Sequence, residues 1–290
     1  MITLERDDWA LSVRPEIGAA ITRLTWRGQD ILRPAPEGAG GPLETGSFPL
    51  VPYANRIDRG AFAFAHRDVT LPPTPGFEPH ALHGVGWLKP WSVLGRGTEF
   101  VDLALSAGAS PDWPWVWTAS HSFRLDADGL EMTLSITNAD REPMPAGLGL
   151  HPYFVVGPGT VLTAPAPRVW ANGTDGIPEK LIPAAGVMDW SGGATVTAAP
   201  FVDNAYADWS GQARLRHADH AVHVTASVNA RWLQIYAPHD AGFVCIEPVT
   251  HRPNAHNAPA GEDTGLKVLT SGQTLSMSMR IDAASIGDRS

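Results

Sequence analysis

An all-β fold, a large antiparallel β-sandwich, is predicted by three features of the chain: repeated two-residue alternation, frequent turn residues and no sustained helical period. Alternation of apolar and polar residues runs through Trp9–Arg14, 118–125, 130–137, 222–228 and 275–281. A period of two sends successive side chains to opposite faces, so one face meets a core and the other looks outward. Residues 243–246 are continuously apolar, as expected of a short buried strand. Gly, Pro, Asp and Asn clusters separate these runs. Asp126-Ala127-Asp128-Gly129 reads as a hairpin turn. With 29 Gly and 26 Pro, long helices have little room. No short-period repeat is present, which argues against a propeller or solenoid. Segments 34–46 and 72–80 are Pro/Gly-rich but short, and neither reads as a domain linker. Residues 1–290 are therefore expected to form one β-sandwich domain, ending in a tail over 283–290 that frays.

The 290 residues suffice for a large core, and 43% hydrophobic against 18% charged residues is a globular balance. A formal net charge of −9 disfavours nucleic acid and anionic membranes as partners. It suits a neutral small molecule, whereas an anionic ligand needs a local basic pocket. The lone cysteine, Cys245, excludes an intramolecular disulfide. The first residues lack the basic-then-apolar pattern of a signal peptide, and no run approaches membrane-span length. A soluble cytoplasmic protein is expected. The 11 Trp residues suit cores, interfaces and the apolar faces of sugar rings alike.

Four segments carry residues capable of chemistry. In Phe48-Pro49-Leu50-Val51-Pro52-Tyr53-Ala54-Asn55-Arg56-Ile57, the prolines fix the backbone that aims Asn55 and Arg56. Arg56 offers a fork of donors for sugar hydroxyls or a carboxylate, or else bonds loop carbonyls. His80-Ala81-Leu82-His83-Gly84-Val85-Gly86-Trp87, followed by Trp91, reads as a polar floor with aromatic walls or as a loop with structural histidines. In Gly147-Leu148-Gly149-Leu150-His151-Pro152-Tyr153-Phe154, Pro152 biases His151 toward an extended backbone. His151 is then a tuned acid–base group or a satisfied core histidine. In Gly242-Phe243-Val244-Cys245-Ile246-Glu247-Pro248, an apolar strand ends in a carboxylate, which serves as a general base or as half of an ion pair. Asp203, before Asn204 and near Trp209, is a further carboxylate, or an Asx turn.

His217, His220 and His223 invite a metal reading. Strand residues three apart face opposite sides, so convergence on one ion is not expected there. His251 and His256 are equally weak ligands. No phosphate loop, dinucleotide fingerprint or Gly-x-Ser-x-Gly elbow is present, so hydride transfer, ATP chemistry and serine-esterase chemistry lose support.

Taken in order, the segments resemble the aldose 1-epimerase (galactose mutarotase) family, and within it a bacterial subgroup. The resemblance rests on Asn55-Arg56-Ile57 with Gly60 and Phe62, His83-Gly84 with Trp87 and Trp91, Gly149 to Phe154, Asp203 with Trp209, and Glu247-Pro248. It implies a galactose mutarotase-like sandwich with a cleft on one face. It also implies that Glu247 is the general base, that His151 is the general acid, and that Arg56, His83, Asp203 and Asn55 bind sugar hydroxyls. His80 is a less secure companion. The reaction so implied exchanges the α and β anomers of a free aldose through the open-chain aldehyde, with no cofactor and no metal. Near neutral pH it calls for an ionised Glu247 and a protonated His151. Two other readings stay open. One is an anionic sugar, a hexose 6-phosphate or sulfosugar, held by Arg27, Arg59 or Arg252. The other is a non-catalytic sugar-binding protein on the same fold.

Overall fold

Two large sheets dominate the protein, and their strands pair antiparallel. The computed structural model describes residues 1–287. Among these residues there is no α-helix, only three-residue 3-10 turns such as Gly86–Leu88. The first sheet has nine strands in the order Ser92–Arg96, Phe100–Ala107, Trp117–Leu125, Gly129–Asn138, Thr274–Ser285, His220–Ala226, Gln212–Arg216, Val161–Thr163 and Ala194–Thr195. The second has the order Pro178–Pro183, Arg168–Asn172, Val202–Ala207, Trp232–Ala237, Phe243–Val249, Gly149–Leu150 and Pro49–Leu50, with Tyr153–Val155 also paired to Phe243–Val249. A four-stranded N-terminal sheet runs from Ile2–Arg6 to Gln29–Asp30.

The predicted alternation appears as burial. Trp117–Leu125 buries every second residue, and its neighbours Phe100–Ala107 and Gly129–Asn138 do nearly the same. Phe123, Leu103 and Leu134 from this sheet share one core with Leu233, Ile235, Val244 and Ile246 from the other. Each such side chain contributes about 1.5–3 kcal/mol relative to exposure. The turn at 126–129 forms as expected: the Asp126 N–H donates to the Gly129 carbonyl, and Asp126 Oδ1 accepts the amides of Asp128 and Gly129.

Three expectations need correction. The strand expected over 222–228 is His220–Ala226. The apolar run at 243–246 extends to Val249, so Glu247 and Pro248 lie within the strand rather than at its end. The expected tail begins too early, because Ala283 to Ser285 continue Thr274–Ser285, and Ser285 sits opposite His220. Residues 288–290 lie outside the described residues.

The second sheet positions the site because its two faces differ. Val244 and Ile246 point into the shared core. Phe243, Cys245 and Glu247 occupy the alternate positions. Register carries this division across the sheet, with Gln234 opposite Glu247, Tyr236 opposite Cys245 and Asp203 opposite Tyr236.

Candidate active site

A cavity of about 410 Å³ opens on that second face, within the range typical of small-molecule sites. Glu247, His151, Arg56, His83, Asp203 and Asn55 all line it. The sheet supplies Glu247, Asp203 and Gln234, the link between Gly149–Leu150 and Tyr153–Val155 supplies His151, and the segments before Ala61 and around Leu82 supply Asn55, Arg56 and His83.

His151 Nε2 lies 3.3 Å from Glu247 Oε1, and both residues are buried. Two rings stack on the imidazole, Phe48 and Tyr153, each with its centroid 4.7 Å away, and their own centroids are 6.2 Å apart. Trp87 stacks on Phe48 at 5.3 Å, and the Arg33 guanidinium caps Tyr153 at 3.9 Å.

His83 is oriented by the backbone. Its Nδ1 accepts the Asn55 N–H at 3.0 Å, which leaves Nε2 as the protonated nitrogen of the neutral ring. Gly84 follows with φ +67°, and a Cβ there would stand 2.4 Å from the Val51 carbonyl oxygen. Only glycine lets the two loops approach so closely. Asn55 has φ 59°, and its Oδ1 accepts the Arg56 N–H at 2.8 Å. Arg56 Nη2 reaches Asp203 Oδ2 at 3.7 Å, and Gln234 Nε2 donates to Asp203 Oδ1 at 2.7 Å. The turn at Gly176 packs against the Arg56 guanidinium.

Burial sets the protonation. Removal from water pushes Glu247 well above the usual carboxylate range, and the nearby Asp203 adds to this while Arg56 opposes it. The same desolvation pushes His151 down to about 3, with the Arg33 charge adding to it. His83 is held well below its ordinary value by burial, then by His151 and Arg56. Asp203 is raised by burial against the pull of Arg56 and Gln234. Burial works against both charges of the pair, so the carboxylate facing an imidazolium that the sequence-based reading calls for runs against the direction of both shifts.

Other expectations fare differently. His80 does not line the cavity; its Nδ1 accepts the Arg59 amide. Trp87 and Trp91 are buried, and their indole N–H groups donate to the Gly84 and Gly86 carbonyls. Trp209 lines a separate groove with Trp170 and Trp232. Arg27, Arg59 and Arg252 are all outside the cavity. Arg27 pairs with Asp8, and Arg252 with Glu262. The cation that does line the cavity beside Arg56 is Arg33, whose Nη2 donates to the Leu43 and Thr45 carbonyls. His217 and His220 stack at 4.3 Å across a turn, a contact that strand alternation did not anticipate. Both nitrogens of His251 are used: Nε2 accepts the Ala54 N–H and Nδ1 meets the Arg252 carbonyl.

Fold and cavity together define an all-β sandwich protein of the galactose mutarotase type. The chain belongs to the aldose 1-epimerase family, whose sequence model matches residues 1–282. The uncharacterised protein YphB of Escherichia coli K12 is 30% identical over 274 residues, covering 87% of this chain and 89% of YphB. A crystal structure from the same organism superposes with a TM-score of 0.89 at 28% identity, covering 98% of each chain. A galactose mutarotase-like protein of Clostridium acetobutylicum shares the fold, with a TM-score of 0.87 at 19% identity over 98% of this chain and 95% of that one. Family membership supports an isomerase or epimerase with a small sugar as substrate. No described helix is long and apolar enough to cross a membrane.

Proposed function

We propose that the protein is an aldose 1-epimerase that exchanges the α and β anomers of a free aldose by acid–base ring opening. The observation that carries this reading is the 3.3 Å contact between His151 Nε2 and Glu247 Oε1 at the wall of a sugar-sized cavity. The O1 hydroxyl and the ring oxygen O5 share one carbon, so an acid and a base this close can serve both. One group takes the O1 proton while the other protonates O5, and the C1–O5 bond breaks to give the aldehyde. Rotation about C1–C2 presents the other carbonyl face, and reversal of the proton transfers closes the ring. Atoms and electrons balance without a cofactor.

The ionised and the neutral forms of the pair hold the same number of protons. They differ only by one proton moved between Nε2 and Oε1, and so titrate alike. Sugar hydroxyls donating to Glu247 favour its carboxylate form, which makes His151 the acid. Arg56, Asp203, Asn55 and the Nε2–H of His83 bind hydroxyls around the ring.

A second reading, turnover of an anionic sugar, is favoured by Arg33. It lines the cavity, and no carboxylate pairs with it among the described residues. Exchange spectroscopy of anomeric protons tests both readings, using neutral, acidic, phosphorylated and sulfonated aldoses with wild type and Glu247→Gln. Enzyme-dependent exchange lost in the variant is expected. Exchange undiminished in Glu247→Gln removes Glu247 as base, and folded wild type inactive on every sugar leaves a binding protein.

A further inference from the structure

Cys245 has no part in the reaction above, yet it lies beside the reacting pair. It is the one cysteine of the chain and is fully buried. It occupies the cavity face of its strand, between Phe243 and Glu247, both of which line the cavity. One ligand atom each from His151, Cys245 and Glu247 lie within 4.8 Å of one another. We propose that these three side chains form a binding site for a thiophilic divalent cation of the zinc class, and that the bound ion shuts the sugar site.

The donor set is a thiolate, an imidazole nitrogen and a carboxylate oxygen. Three such protein ligands with one open position suit tetrahedral zinc. Bond lengths of about 2.0–2.3 Å place tetrahedral ligand atoms roughly 3.3–3.8 Å apart. The gap of 3.3 Å between His151 and Glu247 already matches. The thiol lies within 4.8 Å of both partner atoms and so has at most about 1 Å to close. His151 and Glu247 line the cavity, so a fourth ligand can come from that side. Binding releases the thiol proton and any carboxyl proton to solvent, and no electrons move. Magnesium and calcium, which demand six or more oxygen ligands, do not suit this set. A second cluster, Asp58, His80 and Asp175, is a poorer candidate. The His80 Nδ1 lone pair already accepts the Arg59 amide at 3.1 Å, and Asp175 is exposed.

An ion held here occupies the lone pairs that proton transfer needs. This inhibitory half rests on the proposed epimerase reaction; the binding half does not. The test uses the chelator-stripped full chain with Co²⁺ as optical probe and Zn²⁺ as competitor. One equivalent of Co²⁺ is expected to give a thiolate-to-cobalt charge-transfer band and the strong visible bands of four-coordination, and Zn²⁺ is expected to erase both. Because the chain has one cysteine, the wild-type band reports Cys245 without any variant. Cys245→Ser is expected to weaken Zn²⁺ binding at least about 10-fold, since loss of even a hydrogen-bond partner behind a ligand costs that much. Zn²⁺ should suppress anomer exchange, and EDTA should restore it. A wild-type spectrum with no thiolate band overturns the proposal, as does Zn²⁺ affinity unchanged in folded Cys245→Ser. The band without exchange on any sugar sinks the functional reading and keeps the site; exchange without the band does the reverse.

Discussion

The two faces of the strand Phe243–Val249 follow opposite rules. On the inner face, Val244 and Ile246 join a core shared by both sheets. On the outer face, one residue out of step, stand Cys245 and the buried carboxyl of Glu247. The inner face gains stability from burial. The outer face gives some up, because it holds an acid, an imidazole and a second carboxylate in poor solvation. On the proposed mechanism adjacent residues serve stability and chemistry separately, and substitutions should separate the two effects.

The largest expected effect is on the outer face. Glu247→Gln keeps the shape and removes the proposed acid–base group, so exchange should fall about 10² to 10⁴-fold. Thermal unfolding should shift little or upward. Loss of folding in this variant breaks the comparison. On the inner face, Ile246→Ala should cost about 2–5 kcal/mol by denaturant unfolding. The turnover of the folded fraction should change by no more than a few-fold.

The next effect concerns pH. Burial holds His121 and His151 down to about 3, and His251 down to about 4. Their folded values lie below the unfolded value of about 6.5. The stability they contribute is present above that value and is lost as pH falls toward the folded ones. Denaturant midpoints should therefore drop between about pH 6.5 and 4. Glu247 has the opposite sign, since its folded value is raised. Its contribution is present below about pH 4.3 and is lost as pH rises through the raised value. Glu247→Gln should flatten that alkaline loss, and an unchanged slope would show that the carboxyl is better solvated than its burial implies. The smallest effect is that of Asp203→Asn, which removes the charge facing Arg56 and should raise KM by roughly 10-fold with less change in kcat. An equal fall in kcat would place Asp203 in the chemical step.

Much of this arrangement was legible in the sequence, because the period of two is local information. It separates Ile246 from Glu247 without any knowledge of the fold. The His151 and Glu247 segments were also visible as polar groups set into apolar strands. Gln234 could have been found by the same rule, since it alternates with Leu233 and Ile235. Arg33 could not. It sits in a loop between Leu32 and Pro34, and it reaches the cavity because Leu32 bridges to Phe154 and the Arg33 amide donates to the Tyr153 carbonyl at 2.8 Å. Those contacts join residues about 120 apart in the chain. Protonation was not legible for a related reason. It depends on how deeply the assembled walls exclude water, which no segment reveals alone.

The aromatic neighbours of His151 have a consequence for observing the protein. Phe48 and Tyr153 both stack on the imidazole with centroids 4.7 Å away, so their ring currents should move its carbon-bound protons from the position of an isolated histidine. The cavity wall thus carries a magnetic signature by which His151 can be followed without any substitution.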